Sequence, residues 1–302
     1  MLNSFINKQK GIALIQVLII AIILSMLGIF INQSVRNQIK VAKLIQDNHK
    51  LDLILESVEA ELLHTLLTEK RYKNTESDNE LVKKWNFHGE TFKLNEQVSI
   101  KMQDLNGLLS LNYMNNTVST RLFEQLGFTG HKVRTFLDSL KDWKDADDLK
   151  HLNGAESDYY QKENLPVPRN NFLQSMDEVK NIKWSDMLPS KTWKKYYSLA
   201  LISKYSPINS PNEILKAFIN VEQGFQEVIA LRKSQQLNAL TFYQATGIES
   251  DDFVTFTTGR LINIKIMVNI KNNQLSKSFQ VELRPNAVSR PVKISNVKWN
   301  NE

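Results

Sequence analysis

The 302 residues contain no cysteine, so no disulfide holds this chain together and its redox compartment cannot be read from thiols. Catalytic signatures are missing as well: there is no nucleophile elbow, no glycine-rich phosphate loop and no paired-histidine metal motif. The five histidines, His49, His64, His88, His131 and His151, are scattered, and His151, beside an acidic stretch, reads as a surface residue. No large excess of charge of one sign is present, with 38 Lys and Arg against 32 Asp and Glu. A formal net charge of +6 permits weak attraction to nucleic acid or anionic lipid and requires neither. These absences point away from catalysis and toward a structural or assembly role.

What the chain does have is a long apolar run near its start. Residues 12–31 carry no charge, and only Gln16 and Ser25 are polar. About 20 apolar residues suffice to cross a bilayer as a helix, so this stretch predicts a membrane span. The basic residues flank it on both sides, Lys8 and Lys10 before and Arg36, Lys40 and Lys43 after, and therefore leave its orientation open. With no proline or glycine between Phe30 and Lys70, the helix is expected to continue to residue 70. Beyond the span, Leu51, Ile54, Leu55, Val58, Leu62 and Leu66 recur at helical spacing as one amphipathic stripe, too irregular for sustained coiled-coil heptads.

A secretory signal places its small-residue cleavage site after the apolar stretch. Here Leu27-Gly28-Ile29-Phe30 runs on into Val35-Arg36-Asn37-Gln38-Ile39 without one, whereas Lys10-Gly11 precedes the run. That order resembles a type IV prepilin signal. The resemblance implies a leader of residues 1–11, cutting by a prepilin peptidase between Gly11 and Ile12, methylation of the new N-terminus, and retention of 12–31 as the transmembrane part of a helix whose soluble part is 32–70. An uncleaved single-span anchor is the alternative. Gln16, fifth after the cut, stands where most pilin-like proteins carry a glutamate. A neutral side chain there cannot form the ion pair that would compensate a subunit's free amine in hydrocarbon. It is either an assembly position of an unusual subunit or a tolerated polar residue.

Residues 71–86 are polar and read as a loop. Phe92 and Leu94, then Asn95-Glu96-Gln97, then Val98, Ile100 and Met102 predict a hairpin. Strand patterning returns at 253–257, 261–270, 278–283 and 292–299, with a turn at Lys271-Asn272-Asn273-Gln274. The stretch between is mostly helical in pattern, so one sheet interrupted by a helical insertion is the economical arrangement. The expected domains are a sheet domain of 85–103 and 224–302 and an inserted helical domain of 104–223.

The insertion carries, in order, Met102-Gln103-Asp104-Leu105-Asn106-Gly107-Leu108-Leu109-Ser110; Asp142-Trp143-Lys144-Asp145-Ala146-Asp147-Asp148; Gly154-Ala155-Glu156-Ser157-Asp158-Tyr159-Tyr160; Pro168-Arg169-Asn170-Asn171; Asp177-Glu178-Val179; and Ser206-Pro207-Ile208-Asn209-Ser210-Pro211. In order and spacing these motifs resemble the type II secretion minor pseudopilin K family. In that family the missing acid at position 16 is a habit of this subunit. The resemblance implies an α+β, pilin-like fold, in which a long N-terminal transmembrane helix packs on an antiparallel sheet and carries a large inserted all-α domain. It also implies a tip position in a periplasmic pseudopilus and a single-pass location in a Gram-negative inner membrane with the globular part periplasmic. Expected partners are minor pseudopilins I and J, meeting the 51–66 stripe, with pseudopilin H and the major pseudopilin as further candidates. No nucleic-acid partner is expected.

The acidic segment can be read without the family. Six acids against two lysines give residues 142–160 a net four negative charges, a density of hard oxygen ligands that suits calcium. Asp145, Asp147 and Glu156 occupy places 1, 3 and 12 of a twelve-residue loop, but Leu149 and Lys150 stand at places 5 and 6, which rules out an EF-hand. One reading is a solvated helix end with Asp145 or Asp158 capping amides. The other is a calcium site of different design, which the resemblance implies, with Asp142, Asp145, Asp147, Asp148, Glu156 and Asp158 as candidate ligands and Glu178 as a further one. Two hairpin-like joints, 126–130 and 207–211, bear on the rival of a DNA-uptake or adhesive pilin, the second reading more simply as a packing turn. A membrane-anchored calcium-binding module is the other rival.

Overall fold

The computed structural model describes residues 10–202, 204–249, 253–271 and 273–300. The expected leader lies outside these residues except for Lys10 and Gly11, whose backbone is already helical. Helix α1 runs unbroken over Lys10–Thr68, about 88 Å at 1.5 Å per residue. It is the one helix among the described residues long and apolar enough to cross a membrane, and none of its apolar window is buried in the protein. Its far end is caught by tertiary contacts: Thr258 Oγ1 donates to the Arg71 carbonyl at 2.6 Å.

After α1 come the short helix α2 (Glu80–Lys84), strands β1 (His88–Lys93) and β2 (Val98–Asp104), and the two-residue strand β3 (Leu109–Ser110). Helices α3 (Asn116–Gln125), α4 (His131–Asp142), α5 (Ser157–Lys162) and α6 (Ser190–Tyr196) follow. Strand β4 (Tyr197–Ser198) pairs parallel with β3. Helices α7 (Asn212–Ile219), α8 (Glu222–Lys233) and α9 (Ala239–Thr246) precede β5 (Leu261–Ile270), β6 (Asn273–Leu283) and β7 (Val292–Trp299). The main sheet is antiparallel in the order β1-β2-β5-β6-β7.

Alternation along β5 puts Ile262, Ile264, Ile266 and Val268 on one buried face, paired across to Met102 and Ile100 on one side and to Val281 and Phe279 on the other. Leu51, Leu55, Val58, Leu62 and Leu66 of α1 close over that face, each burial worth about 2 kcal/mol. Lys277 of β6 reaches Glu59 of α1 at 2.6 Å and ties the two layers. This corrects the expectation that the 51–66 stripe meets partner subunits: the protein's own sheet consumes it. The apolar residues of α1 that stay exposed below the sheet are Val35, Ile39, Val41, Leu44 and Ile45.

Two further corrections concern boundaries. The loop expected at 71–86 contains α2, capped by Asn79 Oδ1 accepting from the amides of Leu81 and Val82. More substantially, the return to sheet expected at residue 224 is occupied by α8 and α9, and the sheet resumes only at Leu261. The apolar run at 253–257 is not a strand of the sheet. Val254 forms a single parallel bridge to Tyr205 instead, because Phe256 is drawn into a small core built on Leu215, Ile219, Val228, Leu237 and Phe242.

The insertion is fastened where β2 ends. Asp104, fully buried, accepts from the amides of Asn106 at 3.0 Å and Gly259 at 2.9 Å and from Asn209 Nδ2 at 2.8 Å. Gln103 Nε2 donates to the Asn209 carbonyl at 2.9 Å. A Cβ on Gly107 would lie 2.1 Å from that carbonyl oxygen, so only glycine allows the approach. The 207–209 turn is therefore a packing element with Pro207 and Asn209 buried, and no surface for nucleic acid.

Candidate metal centre

Helix α4 packs Val133, Phe136, Leu137 and Leu140 into the main core of the insertion, beside Phe123, Trp193 and Tyr197. That packing delivers Asp142, at the last turn of the helix, fully buried. A carboxylate in this position faces the negative end of the helix dipole, and burial adds to the cost of its charge. The following residues fold back over it. Lys144 Nζ donates to the carbonyls of Leu111 at 2.7 Å and Asn112 at 3.0 Å, and Asn153 donates to Asp138 Oδ2 from its side chain at 3.0 Å. The Gly154 amide closes a turn on the His151 carbonyl at 2.9 Å. Gly154 passes so near that a Cβ there would fall 1.8 Å from Asp142 Oδ2.

Asp142, Asp145 and His151 each offer one ligand atom, and these lie within 4.8 Å of one another. The His151 amide donates to Asp142 Oδ1 at 3.1 Å, and its Nδ1 rests against the same oxygen. Asp145 Oδ2 is 3.8 Å from Nδ1. Glu156, also buried, enters from the residue preceding α5. Among the described residues, Asp142 Oδ2, Asp145 Oδ1 and both Glu156 carboxyl oxygens are buried without a hydrogen-bond partner. Burial, then the charges of Asp142, Asp145 and Asp148, push the Glu156 carboxyl up to about 7. Burial and the neighbouring Asp142 and Asp147 raise Asp145 as well. Buried carboxyl oxygens left without a partner on Asp142, Asp145 and Glu156 are a donor set that fits a divalent cation.

The other predicted ligands fall elsewhere. Asp147 is exposed and turns Oδ1 to the Leu149 amide at 2.9 Å. Asp148 is exposed but close enough to act on Glu156. Asp158 stands exposed in the first turn of α5. Glu178 is not in the cluster: it accepts from Trp143 Nε1 at 2.9 Å, Arg169 Nε at 2.7 Å and the Gln174 amide at 3.2 Å. Burial opposes its ionisation, but those donors together hold it below the usual carboxylate range. It is a strut holding the residue next to Asp142. Glu156, the residue before α5, makes no side-chain cap bond.

His151 is partly exposed, as a surface residue would be, yet its ring also reaches Asp142 and Asp145; its position beside the acidic stretch was the available signal. The other joint, 126–130, is a helix end: Gly127 takes φ 88° and the Phe128 amide returns to the Phe123 carbonyl at 2.9 Å, a glycine-terminated cap. Lys132 beyond it lies over the Trp184 ring.

The family model described as "Type II secretion system (T2SS), protein K" matches residues 99–197, which include the acidic loop and the Glu178 strut. A type II secretion system protein K from Klebsiella pneumoniae is 24% identical over 195 residues, 60% of this chain, and the match spans 59% of that protein's length. Among solved structures, the GspK-GspI-GspJ complex from the enterotoxigenic Escherichia coli type 2 secretion system contains a chain similar in fold, at a TM-score of 0.55 and 13% identity, covering 85% of this chain and 98% of that one. Residues 99–197 are thus similar to type II secretion system protein K, and the chain spans 59% of the length of the curated relative it matches.

Proposed function

We propose that this protein is a minor pseudopilin at the tip of a type II secretion pseudopilus, a structural subunit of protein export. The observation that carries the reading is the architecture of α1. Its first half exposes an uncharged apolar surface on all sides, and its second half is sealed under the protein's own sheet. Such a helix can sit in the inner membrane or among neighbouring subunits' helices without disturbing the globular part. Cutting between Gly11 and Ile12 by a prepilin peptidase would free it for assembly, with neutral Gln16 making no demand for a subunit's amine below. The insertion from Leu105 to Arg260 adds bulk above the sheet that suits a subunit with none stacked on top. The Escherichia coli structure is of a complex with GspI and GspJ, and we carry that partnership over, with the globular part on the periplasmic side. The surface offered for it is the exposed apolar stretch of α1 that includes Val35, Ile39, Val41, Leu44 and Ile45.

Within this reading the acidic centre is structural. Asp142, Asp145 and Glu156 would hold a calcium ion, with Asp147 and Asp148 near enough to contribute oxygens. The ion would neutralise like charges and lock residues 142–157 onto α4. The test is complementation: cells lacking this protein should retain type II substrates in the periplasm, and the full-length chain should restore their release. Normal release without the protein would overturn the proposal.

A further inference from the structure

The donor set at the acidic centre includes a nitrogen. His151 Nδ1 lies against Asp142 Oδ1 and 3.8 Å from Asp145 Oδ2, one ligand atom from each of the three residues falls within 4.8 Å of the others, and buried Glu156 has two oxygens without a hydrogen-bond partner. Calcium is a hard ion that takes six to eight oxygens and gains little from imidazole. Two or three carboxylates with one histidine form instead the donor set of zinc, manganese and iron, whose affinity for nitrogen rises along the first row. The position of His151 is fixed by the fold: its amide is bonded to Asp142 Oδ1 and its carbonyl receives the Gly154 amide, so the ring is held over Asp142. With His151 and Asp145 both partly exposed, water can complete a coordination shell that the protein leaves open.

We propose that His151 is a metal ligand and makes this centre prefer a first-row transition ion, zinc or manganese, over calcium at equal concentration. The inference rests on the reading that these carboxylates hold a divalent cation and departs from it in the identity of the ion. Calcium occupancy then depends on which ion the compartment supplies.

The experiment is calorimetric titration of the metal-free, full-length protein in detergent with zinc chloride, manganese chloride and calcium chloride separately, repeated on His151→Ala and His151→Gln. The melting temperature of each metal-free variant is matched to the parent as a folding control. The proposal expects zinc and manganese to fill one site at least about tenfold more tightly than calcium, and both variants to lose that advantage while calcium affinity changes less than about twofold. Equal or tighter calcium binding in the parent, or zinc affinity unchanged in both variants, would overturn the proposal and leave a calcium centre standing. No binding of any of the three ions would overturn the cation reading itself.

Discussion

Single residues decide how the insertion and the sheet are joined. Gly107 and Asn209 lie a hundred positions apart, yet the Asn209 carbonyl stands where a Gly107 Cβ would be. Gly107→Ala is expected to cost upwards of about 3 kcal/mol by forcing the 207–209 turn off β2. Urea unfolding at constant m-value is the check, and a loss under 1 kcal/mol, on the order of an ordinary surface change, would contradict the close approach. The two motifs were visible in the sequence as separate blocks, but that one receives the other could not be read from either. His88 makes a pH prediction. Burial and then the charge of Arg232 lower its pKa to about 4, against Glu90, which raises it. Above the unfolded value near 6.5 both states are neutral; as pH falls from 6.5 toward 4 only the unfolded chain takes up the proton. Stability should therefore decline through that window by on the order of 2 kcal/mol, and His88→Gln should flatten the decline. A denaturation series across pH 4 to 7, about the span between the two values, measures it.

At the scale of elements, periodicity carried most of the fold. The helical spacing of Leu51, Leu55, Val58, Leu62 and Leu66 marked one apolar face, and the period-two alternation of β5 marked the face beneath it. What periodicity could not say is that these two faces belong to each other, and so the stripe was assigned to partners. The strand expected at 253–257 fails for a similar reason. Val254 and Phe256 look like strand residues, but the small core around Phe242 competes for them and wins. Leu62, fully buried between helix and sheet, gives the direct test: Leu62→Ala should destabilise the globular part by about 3 kcal/mol. If the stripe served an interface instead, isolated protein would be unaffected and only assembly would suffer.

On the scale of the molecule, the acidic centre is the part of function least legible in sequence. Charge density drew attention to residues 142–160, yet it could not separate Asp142, Asp145 and Glu156, which are buried or partly buried, from Asp147, Asp148 and Asp158, which face water. Nor could it show that Glu178 is spent on Trp143 and Arg169. Because unbalanced buried carboxyls oppose folding of the insertion, stripping divalent ions should lower its melting temperature and readdition should restore it; an unchanged melting temperature at neutral pH would contradict a bound cation. An assembly subunit of the kind proposed needs the apolar helix, the sheet and the insertion together. The most direct test is mass spectrometry of the protein after co-expression with a prepilin peptidase and the candidate pseudopilins, reading its N-terminus and what co-purifies. The account predicts a chain beginning at Ile12, held with pseudopilins I and J; an intact leader and no pseudopilin partner would contradict it.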